Sequence, residues 1–123
     1  MVQRGSSLSW VLAGGMTVVT LGALFWPASA TPVWTPVIWD KLPHVGLFFA
    51  LTVAWRWTGL EARWVLVIVI SLIAGSEIGQ ELLPIGRAGD VFDAMADAVG
   101  MSVAMLVPFS GPPKQPNLTS TTE

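Results

Sequence analysis

Between Gly5 and Trp39 the chain carries no charged side chain. That run constrains the fold more than any other feature, because a small domain has too little interior to hide it. Within it, Leu8–Trp26 is apolar and long enough to cross a bilayer, which takes about 20 residues of helix. Pro27, Pro32 and Pro36 then break any helix. The rest of the chain has the same character. Hydrophobic residues make up 53% and charged residues 11%, where soluble domains carry about a quarter charged. A 123-residue chain of this kind fits one lipid-exposed domain better than a small soluble helical one. The absence of cysteine excludes a disulfide frame, a thiol nucleophile and a Cys-based metal site. A net charge of −2 with no basic run argues against nucleic acid as a partner.

Three further apolar runs follow: Leu42–Trp55 between Lys41 and Arg56, Trp64–Leu83, and Val91–Phe109. The expected fold class is therefore all-α, a polytopic membrane protein with a four-transmembrane-helix bundle. Its spans fall at about 8–26, 40–57, 64–83 and 91–109. The second is short, and Lys41 and Arg56 extend it by snorkelling. The connections Arg56–Arg63 and Pro84–Asp90 are short, so neighbouring helices form antiparallel hairpins. Trp10, Trp26, Trp39, Trp55, Trp57 and Trp64 lie at or near run ends, where amphipathic rings prefer the membrane interface. Residues 1–7 form an N-terminal segment, and residues 110–123, rich in Pro, Ser and Thr, read as a disordered tail. Arg4, the first apolar run and Ala28-Ser29-Ala30 also fit a secretory signal with a cleavage site. The run exceeds the about 7–15 apolar residues usual there, which favours a retained helix. With four spans, Arg4, Arg56, Arg63 and Lys114 share one side, and Lys41 and Arg87 the other. The positive-inside rule then places both termini in the cytoplasm.

That topology brings three polar groups to one face. They are Asp40-Lys41-Leu42-Pro43-His44, Glu77-Ile78-Gly79-Gln80-Glu81, and Arg87 with Asp90, Asp93 and Asp97. Helical spacing puts His44 one turn from Asp40, aligns Glu77, Gln80 and Glu81, and aligns Asp90, Asp93, Asp97 and Gly100. Glu77 and Asp97 lie roughly 9–10 Å below the surface at about 1.5 Å per residue. An acid at mid-membrane costs about 2.5–3.5 kcal/mol, so these groups should face the bundle interior. Gly75 and Gly79 in the third span, and Ala96, Gly100 and Ala104 in the fourth, allow close approach. Plainer roles compete at each position. Asp40 and Asp90 fit helix caps, Lys41 a headgroup contact, His44 a carboxylate-bonded core residue, and Arg87 a structural partner for Glu77 or Asp93.

These residues, in this order, resemble the VanZ-like family of small bacterial membrane proteins. The family shows Asp-Lys-x-x-His at the start of one span, matched by Asp40, Lys41 and His44. Later come Glu-x-x-Gln, Arg, Asp, Asn and Gly, matched by Glu77, Gln80, Arg87, Asp93 and Gly100, with Asp97 where the family has Asn. The resemblance covers about Trp39 to Phe109. It implies a multi-pass protein of the bacterial plasma membrane and a link to glycopeptide (teicoplanin) resistance.

The expected pocket comprises Asp40, Lys41, His44, Glu77, Gln80, Arg87, Asp93 and Asp97. One reading is an outward-facing site for the headgroup of a membrane lipid or lipid-linked envelope intermediate. Arg87 and Lys41 would meet phosphate, and the acids would accept from sugar or peptide donors. The alternative is an intramembrane enzyme acting on such a lipid by acid–base or metal chemistry. His44, Glu77, Asp93 and Asp97 would be its candidate divalent-metal ligands. No cofactor is otherwise expected. No HExxH, nucleophile elbow or phosphate loop is present. A third reading, a proton or ion path, would require an oligomer.

Overall fold

The structure, a computed structural model, describes residues 5–27 and 37–109. Its elements are α1 (Ser7–Leu24), α2 (Val37–Trp57), α3 (Ala62–Leu82) and α4 (Val91–Leu106). The described residues contain no strand. By length and apolar content, α1 and α3 can cross a membrane. α2 and α4 do not meet that measure. α2 carries Asp40, Lys41 and Arg56, and α4 has 16 residues with Asp93 and Asp97 among them. At about 1.5 Å per residue such a helix is roughly 24 Å long.

Prolines and caps set the helix ends. α4 stops at Leu106, short of the expected Phe109, because Val107 precedes Pro108 and is extended at ψ 128°. Leu83 precedes Pro84 and is likewise extended at ψ 140°, ending α3. A residue before proline is pushed out of helical conformation by the ring. α1 ends at Leu24 rather than Trp26, with the Phe25 N–H capping back to Leu21 O. Its start is capped by Ser6, whose side chain accepts from the Ser9 N–H. α2 begins three residues before Asp40, so Asp40 sits in its first turn and is not its cap. Pro43 stands in the second turn of α2, where it withholds one main-chain donor.

The helices run up, down, up and down. The Gly5 N–H donates to Thr58 O at 2.8 Å, and Arg56 donates to Val107 O at 2.8 Å. Those bonds bring together the start of α1 and the ends of α2 and α4. At the opposite end Gln80 of α3 donates to Leu24 O at 2.9 Å, and Lys41 of α2 meets Asp90 before α4. The core holds Leu24, Phe48, Leu51, Val65, Val69, Ile73 and Met101. α2 touches every other helix and packs most extensively on α4. A Cβ on Gly100 would collide with the Val45 carbonyl and meet the Phe49 nitrogen at 3.0 Å. Ala96, Gly100 and Ala104 therefore form the close seam expected of them, against α2. Gly75 differs: a Cβ there meets nothing within 4 Å, so the expected small-residue pair in α3 is not a helix contact. Gly79 instead admits the Phe25 ring.

Leu82, Val91 and Leu106 are at least three-quarters exposed, and Val11, Val18, Val67 and Ile70 also face outward. Of the tryptophans, Trp10, Trp26, Trp57 and Trp64 are exposed. Trp55 is half-buried, donates from Nε1 to Thr17 Oγ1 at 3.1 Å, and packs edge-on against Trp10. Trp34, the side chain of Trp39, the Ala28-Ser29-Ala30 motif and the tail 110–123 lie outside the described residues.

Candidate functional site

The close seam between α2 and α4 sets the site. In α2, Asp40 and His44 stand one turn apart with Lys41 beside them. In α4, Asp93 and Asp97 stand one turn apart on the face that Ala96, Gly100 and Ala104 press against α2. The Lys41 ammonium meets Asp90 Oδ2 at 2.8 Å, bonds Asp93 Oδ1, and lies 3.6 Å from Asp40 Oδ2. Two of its donors thus bond carboxylates, and a third carboxylate stands close by. His44 Nδ1 lies 2.9 Å from Asp97 Oδ1, and Nε2 lies 3.7 Å from Asp93 Oδ2. Asp97 is completely buried, and its Oδ2 has no hydrogen-bond partner among the described residues. With Asp97 ionised, Nδ1 carries the proton and Nε2 is left facing Asp93.

Asp90 holds two roles. Its Oδ1 accepts from the Phe92 N–H at 2.9 Å, capping α4, while Oδ2 takes Lys41. The Lys41 hydrogen bond, then the Phe92 N–H, hold its carboxyl below the usual range. The expected cap is present, and the ion pair with Lys41 is an addition that spacing did not reveal. The signal was available: an Asx cap spends one oxygen and leaves the other free.

The three groups expected at one face do stand at one end, but they do not all touch. Glu77 Oε2 accepts the Asp90 N–H at 2.7 Å, which joins it to the cluster through main chain. Glu81 Oε2 accepts the Gly89 N–H at 3.0 Å. Gln80 and Arg87 turn toward α1. Gln80 bonds Leu24 O, and Arg87 Nε donates to Trp26 O at 2.8 Å. Arg87 therefore holds the end of α1, and among the described residues it pairs with neither Glu77 nor Asp93.

This arrangement also alters the electrostatic expectation. Asp40, Asp90, Asp93, Asp97 and Glu77 face one lysine and one histidine, so the cluster is acid-rich even with His44 protonated. A phosphate beside Lys41 would meet Asp40, Asp90 and Asp93. The site is better suited to hydroxyl or amino donors. Among the described residues no three His, Asp or Glu side chains are grouped so as to hold a metal ion. Of the four candidate ligands His44, Glu77, Asp93 and Asp97, Glu77 is spent on the loop, and Lys41 sits between Asp90 and Asp93. No family model, curated protein or solved structure matches this chain.

Proposed function

We propose that the chain is a VanZ-like protein that spans a bacterial plasma membrane with all four helices, both termini cytoplasmic. At its outer face it would hold the headgroup of a lipid or lipid-linked envelope intermediate against the charged cluster that α2 and α4 share. The observation that carries this reading is the line Lys41–Asp93–His44–Asp97, built from two helices at one end of the bundle. Side chains of this cost persist in apolar helices where they face one another and meet a polar ligand. The acid excess makes hydroxyl and amino groups the recognised part, and the phosphate contacts expected of Lys41 give way to donor contacts. Family membership and a part in teicoplanin resistance rest on the Asp40-to-Gly100 residue pattern. A change in teicoplanin susceptibility on expression tests the latter.

Native mass spectrometry of the full chain, wild type and Asp93→Asn, tests the binding reading. A co-purifying lipid or lipid-linked species should be retained by wild type and lost from the variant. Equal retention would remove the α2–α4 cluster as its site. Single cysteines at His44 and Asp93 should label from the same, outer side; labelling from opposite sides would sink the topology.

One observation favours a second reading, an acid–base enzyme on the same ligand. His44 is held at Nδ1 by a fully buried carboxylate, which orients Nε2 for proton transfer. In that case Asp97→Asn would keep the ligand but abolish a mass change in it over time.

A further inference from the structure

Thr20 departs from a rule that the other interior hydroxyls obey. Among the described residues, Ser9, Thr17, Thr52, Thr58 and Ser76 are buried or half-buried, and each donates to a main-chain carbonyl three or four residues earlier. Such local bonds are the ready option for a hydroxyl on a helix. Thr20 is 1% exposed, yet its Oγ1 has no partner among the described residues. Gln80 shares the condition. It is 2% exposed, its Nε2 donates to Leu24 O, and its Oε1 has no partner among the described residues. A buried polar group left in that state costs more than an average hydrogen bond returns.

The two oxygens share one region of the interior. Thr20 lies one turn before Leu24 on the buried face of α1, and Ser76 lies one turn before Gln80 on the buried face of α3. The two helices run in the same direction and Gln80 grips α1 at Leu24 O, so Ser76 stands level with Thr20. Of the helix pairs that meet, α1 and α3 touch least, which leaves room between their polar faces. The third buried oxygen without a partner, Asp97 Oδ2, is on α4, which α1 does not touch, and it belongs to the His44 pair.

We propose that a buried water molecule sits between α1 and α3 and joins Thr20, Ser76 and Gln80. The water donates one hydrogen to Gln80 Oε1 and the other to Ser76 Oγ, whose own hydrogen is committed to Ile73 O. It accepts the hydrogen of the Thr20 hydroxyl. About three bonds is usual for a buried water, and proteins hold about one per 27 residues. The site is separate from the α2–α4 cluster and does not depend on a headgroup being bound there. It ties α1 to the bundle by a polar bridge beside the Gln80–Leu24 bond.

Reversible unfolding of the full chain in mixed detergent micelles reads the bridge. Thr20→Val keeps the shape and removes the hydroxyl. It should raise the unfolding constant about fivefold or more, because the water loses a partner. A hydroxyl without a partner gives the opposite sign, since its removal relieves a desolvation cost. Gln80→Met should also raise the constant, and the double variant should fall short of the product of the two by about fivefold. If Thr20 instead bonded Met16 O within its own helix, the two effects would multiply. Radiolytic hydroxyl labelling detects the water directly. Leu24, buried beside the bridge, should be modified faster than Val69, buried in the apolar core, and Thr20→Val should abolish the difference. Thr20→Ser retains the hydroxyl and should preserve it, with circular dichroism checking helix content in each variant. An unfolding constant unchanged or lowered in Thr20→Val would overturn the proposal. So would single effects that multiply, or equal labelling of Leu24 and Val69 in wild type.

Discussion

At the end where α2 and α4 begin, Lys41 and His44 meet carboxylates carried by another helix. At the opposite end, Arg56, Thr58 and Gly5 meet main-chain carbonyls. Arg56 donates to Ala104 O and Val107 O, Thr58 Oγ1 to Trp55 O at 2.7 Å, and the Gly5 N–H to Thr58 O. The second arrangement closes helix termini. A cation placed on the last carbonyls of a helix satisfies orphan acceptors and the helix dipole together, and calls for no ligand. The first arrangement exceeds what capping needs. Of its acids Asp90 alone caps α4, while Asp93 and Asp97 lie farther along the helix and face bases on α2. Polar groups that exceed structural need are where binding or proton transfer is to be sought.

Substitutions at the two ends should separate these roles. The largest effect is expected from His44→Ala, which strands the buried Asp97 carboxylate and should destabilise by about 3–5 kcal/mol. Thermal unfolding in detergent measures it. His44→Leu combined with Asp97→Leu should recover most of the loss, because an apolar pair replaces a buried ion pair at little cost. Failure to recover would mean the two residues do not share a bond.

Gly100→Ala comes next, at about 1–3 kcal/mol, because its methyl group meets main chain of α2 that cannot swing aside. Gly75→Ala is the control. It meets open space and should be neutral or stabilising by up to about 1 kcal/mol. Equal effects at the two glycines would show that the α2–α4 seam is not the close contact.

At the far end, Arg56→Ala should cost about 1–2 kcal/mol by removing its carbonyl bonds, with no change in ligand retention. A loss of ligand there would erase the distinction between the ends.

The smallest effect concerns pH. The Asp90 carboxyl is lowered in the folded protein, so its contribution is present above its ordinary pKa of 3.8 and disappears as pH falls below that value. Asp90 is 41% exposed, so solvent screens the pair with Lys41 and the effect should be slight. Asp90→Asn keeps the cap and should flatten that part of the stability curve. A curve unchanged by the substitution would remove Lys41–Asp90 from the account.

Helix number and direction were legible because apolar run length and proline position are local properties. Pro84 and Pro108 mark the ends of α3 and α4 to within two residues. The expected 91–109 span was too long because an apolar run does not register that Val107, before a proline, leaves the helix. Glu77 and Gln80 show where the reading of the site ran out. Spacing puts them on one side of α3, about 60° apart at roughly 100° per residue. That offset suffices for Glu77 to reach the α4 loop and Gln80 to reach α1. Arg87, in the loop, has no helical phase at all, and its bond to Trp26 O follows from where α1 ends.

The sequence by itself determined an all-helical chain whose alternating direction carries Lys41, His44, Glu77, Asp90, Asp93 and Asp97 to one end. Tertiary structure alone decided which acid meets which base. The partners depend on how far each helix is rotated about its own axis, and that rotation is set by non-local packing such as the fit of Gly100 against Val45 and Phe49.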